Sequence, residues 1–337
     1  MPRSNEDMTW PDYQLLDFGD ARKLERFGQW LLDRPAPAAA GVRKAQPALW
    51  RHATARFEGD RAAAGAWTPS PKQWSTARTA LSVPIRDDVL RFQMSLEPLP
   101  SGQIGVFPEQ WTCWRWITAR AATPSPNPPS PDLARSGPNA VHASPPQATS
   151  APRILNLFAY TGGSTLAAAL GGASVVHVDA AKSVVARARQ NAEASGLAER
   201  PIRWIVEDAL RFCRREAKRG NRYDAVILDP PTYGHGPQGQ PWNIKRDLLP
   251  LLQLCGELTA GRPRFVLLTC HTPGIGPAEL AAYLAEGIFG HCGWPAQAGE
   301  LHLAAADGRR LSNGTYARWP GEAGARQVAF YEGQPAT

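Results

Sequence analysis

Two short stretches place reactive side chains at the ends of apolar runs. In "DAVILDPPTY" (224–233) five strand-like residues lead to Asp229 and then to two prolines. Proline fixes its own φ and cannot donate to a sheet ladder, so the strand must stop there. Asp229 and the ring of Tyr233 are thereby put on a stiff loop, where a carboxylate could orient an acceptor and a ring could stack on a base. In "LLTCHTP" (267–273) another apolar run ends at Cys270 and His271. A thiol is the nucleophile that an unreactive carbon such as cytosine C5 requires, through prior addition at C6. An exocyclic or ring nitrogen has its own lone pair and needs only alignment. The competing reading of Cys270 is a buried small hydrophobe.

Three further apolar runs end in residues suited to a nucleoside. "NLFAYTGGST" (156–165) passes from a strand into small residues that would let a ligand approach the backbone at a helix N-terminus. Its spacing is not G-x-G-x-x-G, which speaks against a dinucleotide pyrophosphate. "SVVHVD" (174–179) ends at Asp179, and an acid there can accept hydrogen bonds from both ribose hydroxyls. "EDALRFCRRE" (207–216) begins with Glu207 and Asp208, which could read an adenine edge and could equally cap the following helix.

These residues must be positioned by alternating elements. Strands are expected at 153–158, 174–178, 202–206, 224–228 and 264–269, with two more at 300–304 and 326–331. Between them lie the helical stretches "STLAAALGG", "KSVVARARQNAEASGL", "ALRFCRREAKRG" and "IKRDLLPLLQLCGEL". The pattern predicts an α/β fold, a doubly wound and mostly parallel sheet whose carboxyl edge carries the site. Residues 123–152 hold nine prolines and few large apolar groups, and read as a disordered insertion. Residues 1–107 are expected to form a small Trp-rich module with β content, and eight of the 12 tryptophans of the chain fall at or before Trp116. The rings are either RNA-stacking platforms or core. "LRFQMSLEPLPSGQIGVFPEQ" reads as a hairpin turning at Ser101-Gly102. Residues 108–122 lead into a catalytic domain at 153–337.

The four strand ends together resemble the class I S-adenosylmethionine-dependent methyltransferases: "NLFAYTGG", "HVDAAK", "EDALRF" and "LDPPTYG" match their successive motifs. Within that Rossmann-like superfamily the chain is similar to the bacterial 23S ribosomal RNA (cytosine-C5) methyltransferases, through "YDAVILDPPTYGHG" and "GQIGVFPEQWTCWRWI". The resemblance implies a seven-stranded sheet whose last strand is antiparallel, and S-adenosyl-L-methionine as cofactor. The cofactor would be held by Phe107, Gln110, Phe158, Ala159, Tyr160, Thr161, Gly162, Asp179, Ala180, Asp208, Ala209 and Asp229. It also implies Cys270 as the nucleophile in a C5 reaction, with Asp229 hydrogen-bonded to the base and His271 or a bound water removing the C5 proton. Where related amino-methyltransferases set an aromatic directly after Asx-Pro-Pro, this chain has Thr232, and Tyr233 next to it could still stack on the acceptor. The RNA-binding PUA module of some such enzymes is not evident.

Composition bounds the remaining choices. The net charge of +7 tolerates a polyanion such as RNA, and a GC-rich genome gives the same arginine content. The five cysteines form no C-x-x-C pair, so neither a metal site nor a disulfide framework is expected. No run is long enough to span a membrane, and "MPRSNEDMTW" lacks a leader pattern, so a cytoplasmic protein is expected. The leading reading is a methyltransferase acting on a base of ribosomal RNA. A small-molecule or protein acceptor, or a non-catalytic RNA-binding protein, is the alternative.

Overall fold

The structure, a computed structural model, describes residues 10–59, 65–74, 82–123, 151–261, 263–291 and 296–321. The Pro-rich segment and the strand expected at 326–331 lie outside them. The first sheet is built from β1 (Tyr13–Gly19), β2 (Arg22–Phe27), β3 (Trp30–Pro35), β4 (Ala55–Glu58) and β5 (Ala66–Thr68), in that spatial order. A separate hairpin follows, β6 (Ser82–Arg86) with β7 (Arg91–Ser95). Trp10, Trp67 and Trp74 are buried, and each indole N–H donates to a backbone carbonyl, of Pro84, Leu99 and Pro69. Of the two readings of the rings, these three satisfy the core one.

The expected hairpin is half right. Gly102, with φ +78°, donates to Leu99 O, and Glu97 N donates to Ile104 O, so the chain does turn at Ser101-Gly102. The ladder partner of β7, however, is β6, in the register Val83↔Met94 and Ile85↔Phe92. Pro84 hides β6 from a reading of the sequence, since proline argues against a strand unless it lies on an edge.

Helix α1 (Trp111–Ala122) then leads to the larger sheet. Its elements are β8 (Arg153–Leu157), α2 (Gly163–Leu170), β9 (Ser174–Asp179), α3 (Lys182–Ala194), β10 (Ile202–Val206), α4 (Ala209–Lys218) and β11 (Ala225–Leu228). A small hairpin, β12 (Tyr233–His235) and β13 (Pro241–Asn243), precedes α5 (Ile244–Leu258). The chain continues through β14 (Phe265–Cys270), α6 (Pro277–Leu284), β15 (Gln297–Ala304) and β16 (Arg310–Trp319). The sheet order is β10-β9-β8-β11-β14-β16-β15. The first five strands are parallel, and β16 runs antiparallel to both β14 and β15. This is the expected seven-stranded sheet with its last strand reversed. Strand order switches between β8 and β11, the place where open α/β sheets leave a crevice.

Two packing contacts orient the rest. Gly163 and Gly171 leave α1 and α2 in contact: a Cβ on Gly163 would stand 2.6 Å from Trp114, and one on Gly171 2.5 Å from Ala121. The hairpin β6–β7 docks on α3, where Ser195 Oγ and Asn191 Oδ1 accept from Gln93 N and Ser95 N, both at 2.9 Å. The β1–β5 sheet is tied to the far end of the chain through buried Asp17. Its carboxylate accepts from Trp50 Nε1, Gln46 N and Ala45 N, and from Arg309 Nη2 at 2.5 Å.

Candidate active site

The carboxyl ends of the parallel strands open into a cavity of about 910 Å³. Phe107, Phe158, Tyr160, Asp179, Ala180, Asp208, Ala209, Asp229 and Cys270 line it. Gln110, Ala159, Thr161 and Gly162 line a smaller adjoining pocket of about 40 Å³, which shares Phe107, Phe158, Tyr160 and Asp229 with the first. The structure thus gathers all but one of the residues singled out in the sequence. Tyr233 lines neither space and stands 70 % exposed on β12.

The turn after β8 is bent by three left-handed residues, Phe158 (φ +53°), Tyr160 (φ +48°) and Gly162 (φ +95°). Two non-glycine residues in that region within five positions are costly and persist only where the surroundings hold them. Here Thr161 Oγ1 donates to Gly105 O at 2.6 Å and Asn191 Nδ2 donates to Thr161 O at 2.9 Å. The twisted backbone also aims Tyr160 N at Asp179 Oδ2, 3.0 Å away. Ala181 N donates to the other oxygen at 2.9 Å. Burial pushes the Asp179 carboxyl above its ordinary range, against these backbone bonds. Burial, with Glu97 and Asp179 adding to it, raises the Tyr160 phenol to about 12. Asp208 caps α4 by accepting from Arg211 N at 2.8 Å and still lines the cavity, so both readings of it hold.

Asp229 is held in place rather than paired with a cation of its own strand. Gln110 Nε2 donates to its Oδ2 at 3.2 Å and also reaches Thr269 Oγ1 at 3.3 Å. The loop beyond is pinned by Trp242 Nε1 donating to Pro231 O at 2.7 Å and by a Thr232–Thr272 hydroxyl contact of 2.8 Å. His271 Nε2 lies 3.5 Å from Asp229 Oδ1. Its Nδ1 is 2.7 Å from the carbonyl of Asn313, which can only accept, so Nδ1 carries the proton. Gly314 makes this approach possible, since a Cβ there would stand 2.7 Å from that nitrogen. Cys270 is 1 % exposed, its Sγ accepts from Thr272 N at 3.4 Å, and burial raises its thiol.

Several lining residues escaped the sequence reading: Lys23 and Arg34 from β2 and β3, Ala36–Ala38 from the turn after β3, Glu109 before α1, and Glu300 and Leu311–Thr315 from β15 and β16. Glu109 falls within the quoted "GQIGVFPEQWTCWRWI", but nothing there marks its carboxylate, and no local pattern marks the others, because pairing between distant elements brings them together. Among the described residues no cluster of three or more His, Cys, Asp or Glu could hold a metal, and no helix is long and apolar enough to cross a membrane.

The cavity fits S-adenosyl-L-methionine on its own chemistry. Asp179, at the end of β9, is a carboxylate with no cationic partner among the described residues, suited to a diol. The left-handed turn beside it presents backbone to a ligand.

Known proteins agree. The S-adenosylmethionine-dependent methyltransferase family model matches residues 143–287. The crystal structure of the SAM-dependent methyltransferase from Agrobacterium tumefaciens superposes with a TM-score of 0.73 at 31 % identity, covering 91 % of this chain and 90 % of that one. This chain belongs to the S-adenosylmethionine-dependent methyltransferases. Within them it is similar to ribosomal RNA large subunit methyltransferase I of Aeromonas salmonicida, 34 % identical over 160 residues, or 47 % of this chain and 40 % of the relative. It is also similar to ribosomal RNA large subunit methyltransferase K/L of a Shewanella species, 34 % identical over 109 residues, 32 % of this chain and 15 % of the relative. The chain therefore spans less than half the length of these curated relatives.

Proposed function

We propose that the protein methylates a base of RNA, with large-subunit ribosomal RNA as its substrate and the cytoplasm as its place of work. The observation that carries this reading is a single cavity joining a nucleoside end, at Asp179 and Asp208, to a reactive end, at Asp229, Cys270 and His271. The names of the similar relatives point to the same acceptor.

The cofactor would lie against Phe158–Gly162, Asp179–Ala180, Asp208–Ala209 and Phe107, and when bound it supplies an electrophilic methyl group. The protein's part is alignment. Gln110 fixes Asp229, and Asp229 orients the acceptor through a hydrogen bond. Tyr233, exposed on the β12–β13 hairpin, would stack on a base as it enters. Cytosine C5 is the acceptor that Cys270 favours, since a thiol lines the cavity with Asp229 and His271. The thiol gives its proton to a water, and Sγ bonds to C6 as the C5–C6 π pair is displaced, which makes C5 nucleophilic. After methylation His271 Nε2 or a water takes the C5 proton, and the Sγ–C6 bond breaks as the ring double bond returns.

A nitrogen acceptor is the second reading, favoured by the burial that keeps the Cys270 thiol protonated. One experiment separates them. For C5 chemistry Cys270→Ala abolishes turnover while leaving cofactor affinity intact, and RNA carrying 5-fluorocytosine traps the wild-type enzyme covalently. For nitrogen chemistry the variant keeps most of its activity and no adduct forms. If neither protein labels ribosomal RNA, the RNA reading falls.

A further inference from the structure

The wall of the cavity next to Gln110 contains a carboxylate oxygen that has no hydrogen-bond partner among the described residues. Glu109 is 4 % exposed, lines the cavity, and its Oε2 has no hydrogen-bond partner. Two other buried carboxylate oxygens among the described residues share that lack, but each sits beside an arginine. Asp87 Oδ2 is 2.6 Å from Arg115, and Glu216 Oε1 is 3.6 Å from Arg219. Glu109 has no such ion pair. A buried carboxylate without hydrogen bonds is expensive, and sequences keep one where an absent partner normally supplies the donors.

Its neighbours say what that partner offers. Lys23 and Arg34 line the same wall, and both are committed to Glu25. Lys23 Nζ is 3.0 Å from Glu25 Oε1, and Arg34 Nε and Nη2 donate to Glu25 Oε2 at 2.9 and 2.5 Å. Tyr13 OH donates to the same carboxylate at 3.0 Å. Glu25 is thus saturated, and Glu109 balances the second positive charge without a bond. Burial lowers the Lys23 ammonium, while Glu25 and Glu109 both act to keep it charged. An ammonium has three donors, and Lys23 spends one on Glu25. The wall therefore shows an unfilled acceptor beside spare donors. A flat ligand with an N–H edge next to a carbonyl or ring nitrogen would complete it.

We infer that Glu109 is a specificity-determining residue that accepts a hydrogen bond from the amino-bearing edge of the target base, while Lys23 donates to the adjacent oxygen or ring nitrogen. This rests on the proposal that the acceptor is an RNA base. Cytosine and adenine offer an exocyclic amine, and guanine offers N1–H and N2–H. Uracil has no amine, and its one ring donor, N3–H, lies between O2 and O4, two acceptors that would face the carboxylate on either side, so it is the poorest fit. A site built to receive a hydrogen bond rejects a ligand that cannot supply it.

The test uses the full-length protein, labelled S-adenosylmethionine and unmodified large-subunit ribosomal RNA transcribed in vitro. Product nucleosides are identified by mass spectrometry, and cofactor affinity is measured by calorimetry. Glu109→Gln preserves size and removes the charge. We expect the label in a cytidine, adenosine or guanosine derivative, and kcat/KM for RNA about 10- to 100-fold lower in the variant with cofactor affinity within about twofold, the scale of one charge-assisted hydrogen bond. A labelled uridine overturns the inference and leaves the RNA reading standing. So does a variant with wild-type kcat/KM, or one whose cofactor affinity falls in step with its activity. Absence of any label with the wild-type protein overturns both. If the Gln variant does not fold, Glu109→Asp keeps the charge and shortens its reach; the same loss on RNA supports the inference, and full activity overturns it.

Discussion

The two ends of the cavity are made in different ways. The nucleoside end comes from consecutive strand-to-helix turns after β8, β9 and β10, each a few residues long and each holding its own backbone in shape. Asp179 binds Tyr160 N and Ala181 N, and Asp208 binds Arg211 N. The acceptor end is a composite. Asp229 is fixed by Gln110, 119 positions earlier, His271 by the carbonyl of Asn313, and the opposite wall comes from β2 and β3. A cofactor shared by a whole family can be held by local turns that any copy of the sheet supplies. The acceptor differs between members, and here its surroundings come from parts of the chain that can change without disturbing those turns.

Mutations should separate the ends in proportion. The largest effect is expected at the acceptor end. Asp229→Ala removes the oriented carboxylate and should lower kcat by about 100-fold or more, the cost of losing alignment, with a much smaller change in cofactor affinity. Stopped assays at saturating cofactor would show it, and a fully active variant would refute the role given to that loop. At the other end, Asp179→Ala should weaken S-adenosylmethionine by about 2–3 kcal/mol in calorimetry while RNA binding stays unchanged. The same carboxylate sets a pH dependence. It must be ionised to accept both hydroxyls, and burial raises its folded pKa, so affinity is complete above that raised value. It is then lost as pH falls through it, at a higher pH than an exposed aspartate would give. Titration of cofactor affinity that shows loss only in the ordinary carboxylate range would contradict this. The smallest effect concerns the seam between the β1–β5 sheet and β16. Arg309→Ala removes one charged partner of Asp17 and should cost about 1–2 kcal/mol in denaturant melts, with KM for RNA rising and cofactor affinity unaltered. Equal losses at both ends would mean that they are not independent.

The contrast also explains what the sequence disclosed. The nucleoside end was legible because it is local. Apolar runs such as "SVVHV" and "IRWIV" end at acids, and β10 falls on the expected residues 202–206. The acceptor wall was not, because Lys23, Arg34 and Glu109 look like ordinary charged residues until the fold buries them. Strand β16 was also missed. Its run Arg310–Trp319 mixes arginine, serine, asparagine and glycine with few apolar residues, and much of it is only half-buried, so no period-two pattern stands out. Tyr233 was recognised for its ring, but loop direction decides where a ring points, and here it faces solvent.

The Asp17–Arg309 contact joins positions 292 residues apart. On the ribosome this sets a timetable. The nucleoside turns can form as soon as their strands and helices have emerged, but the acceptor wall cannot be locked until the β15–β16 turn has been made. A nascent chain stopped short of that turn would have the turns after β8, β9 and β10 in place and no finished chamber in which to use them. Competence to modify a substrate is thereby deferred until that turn has been made.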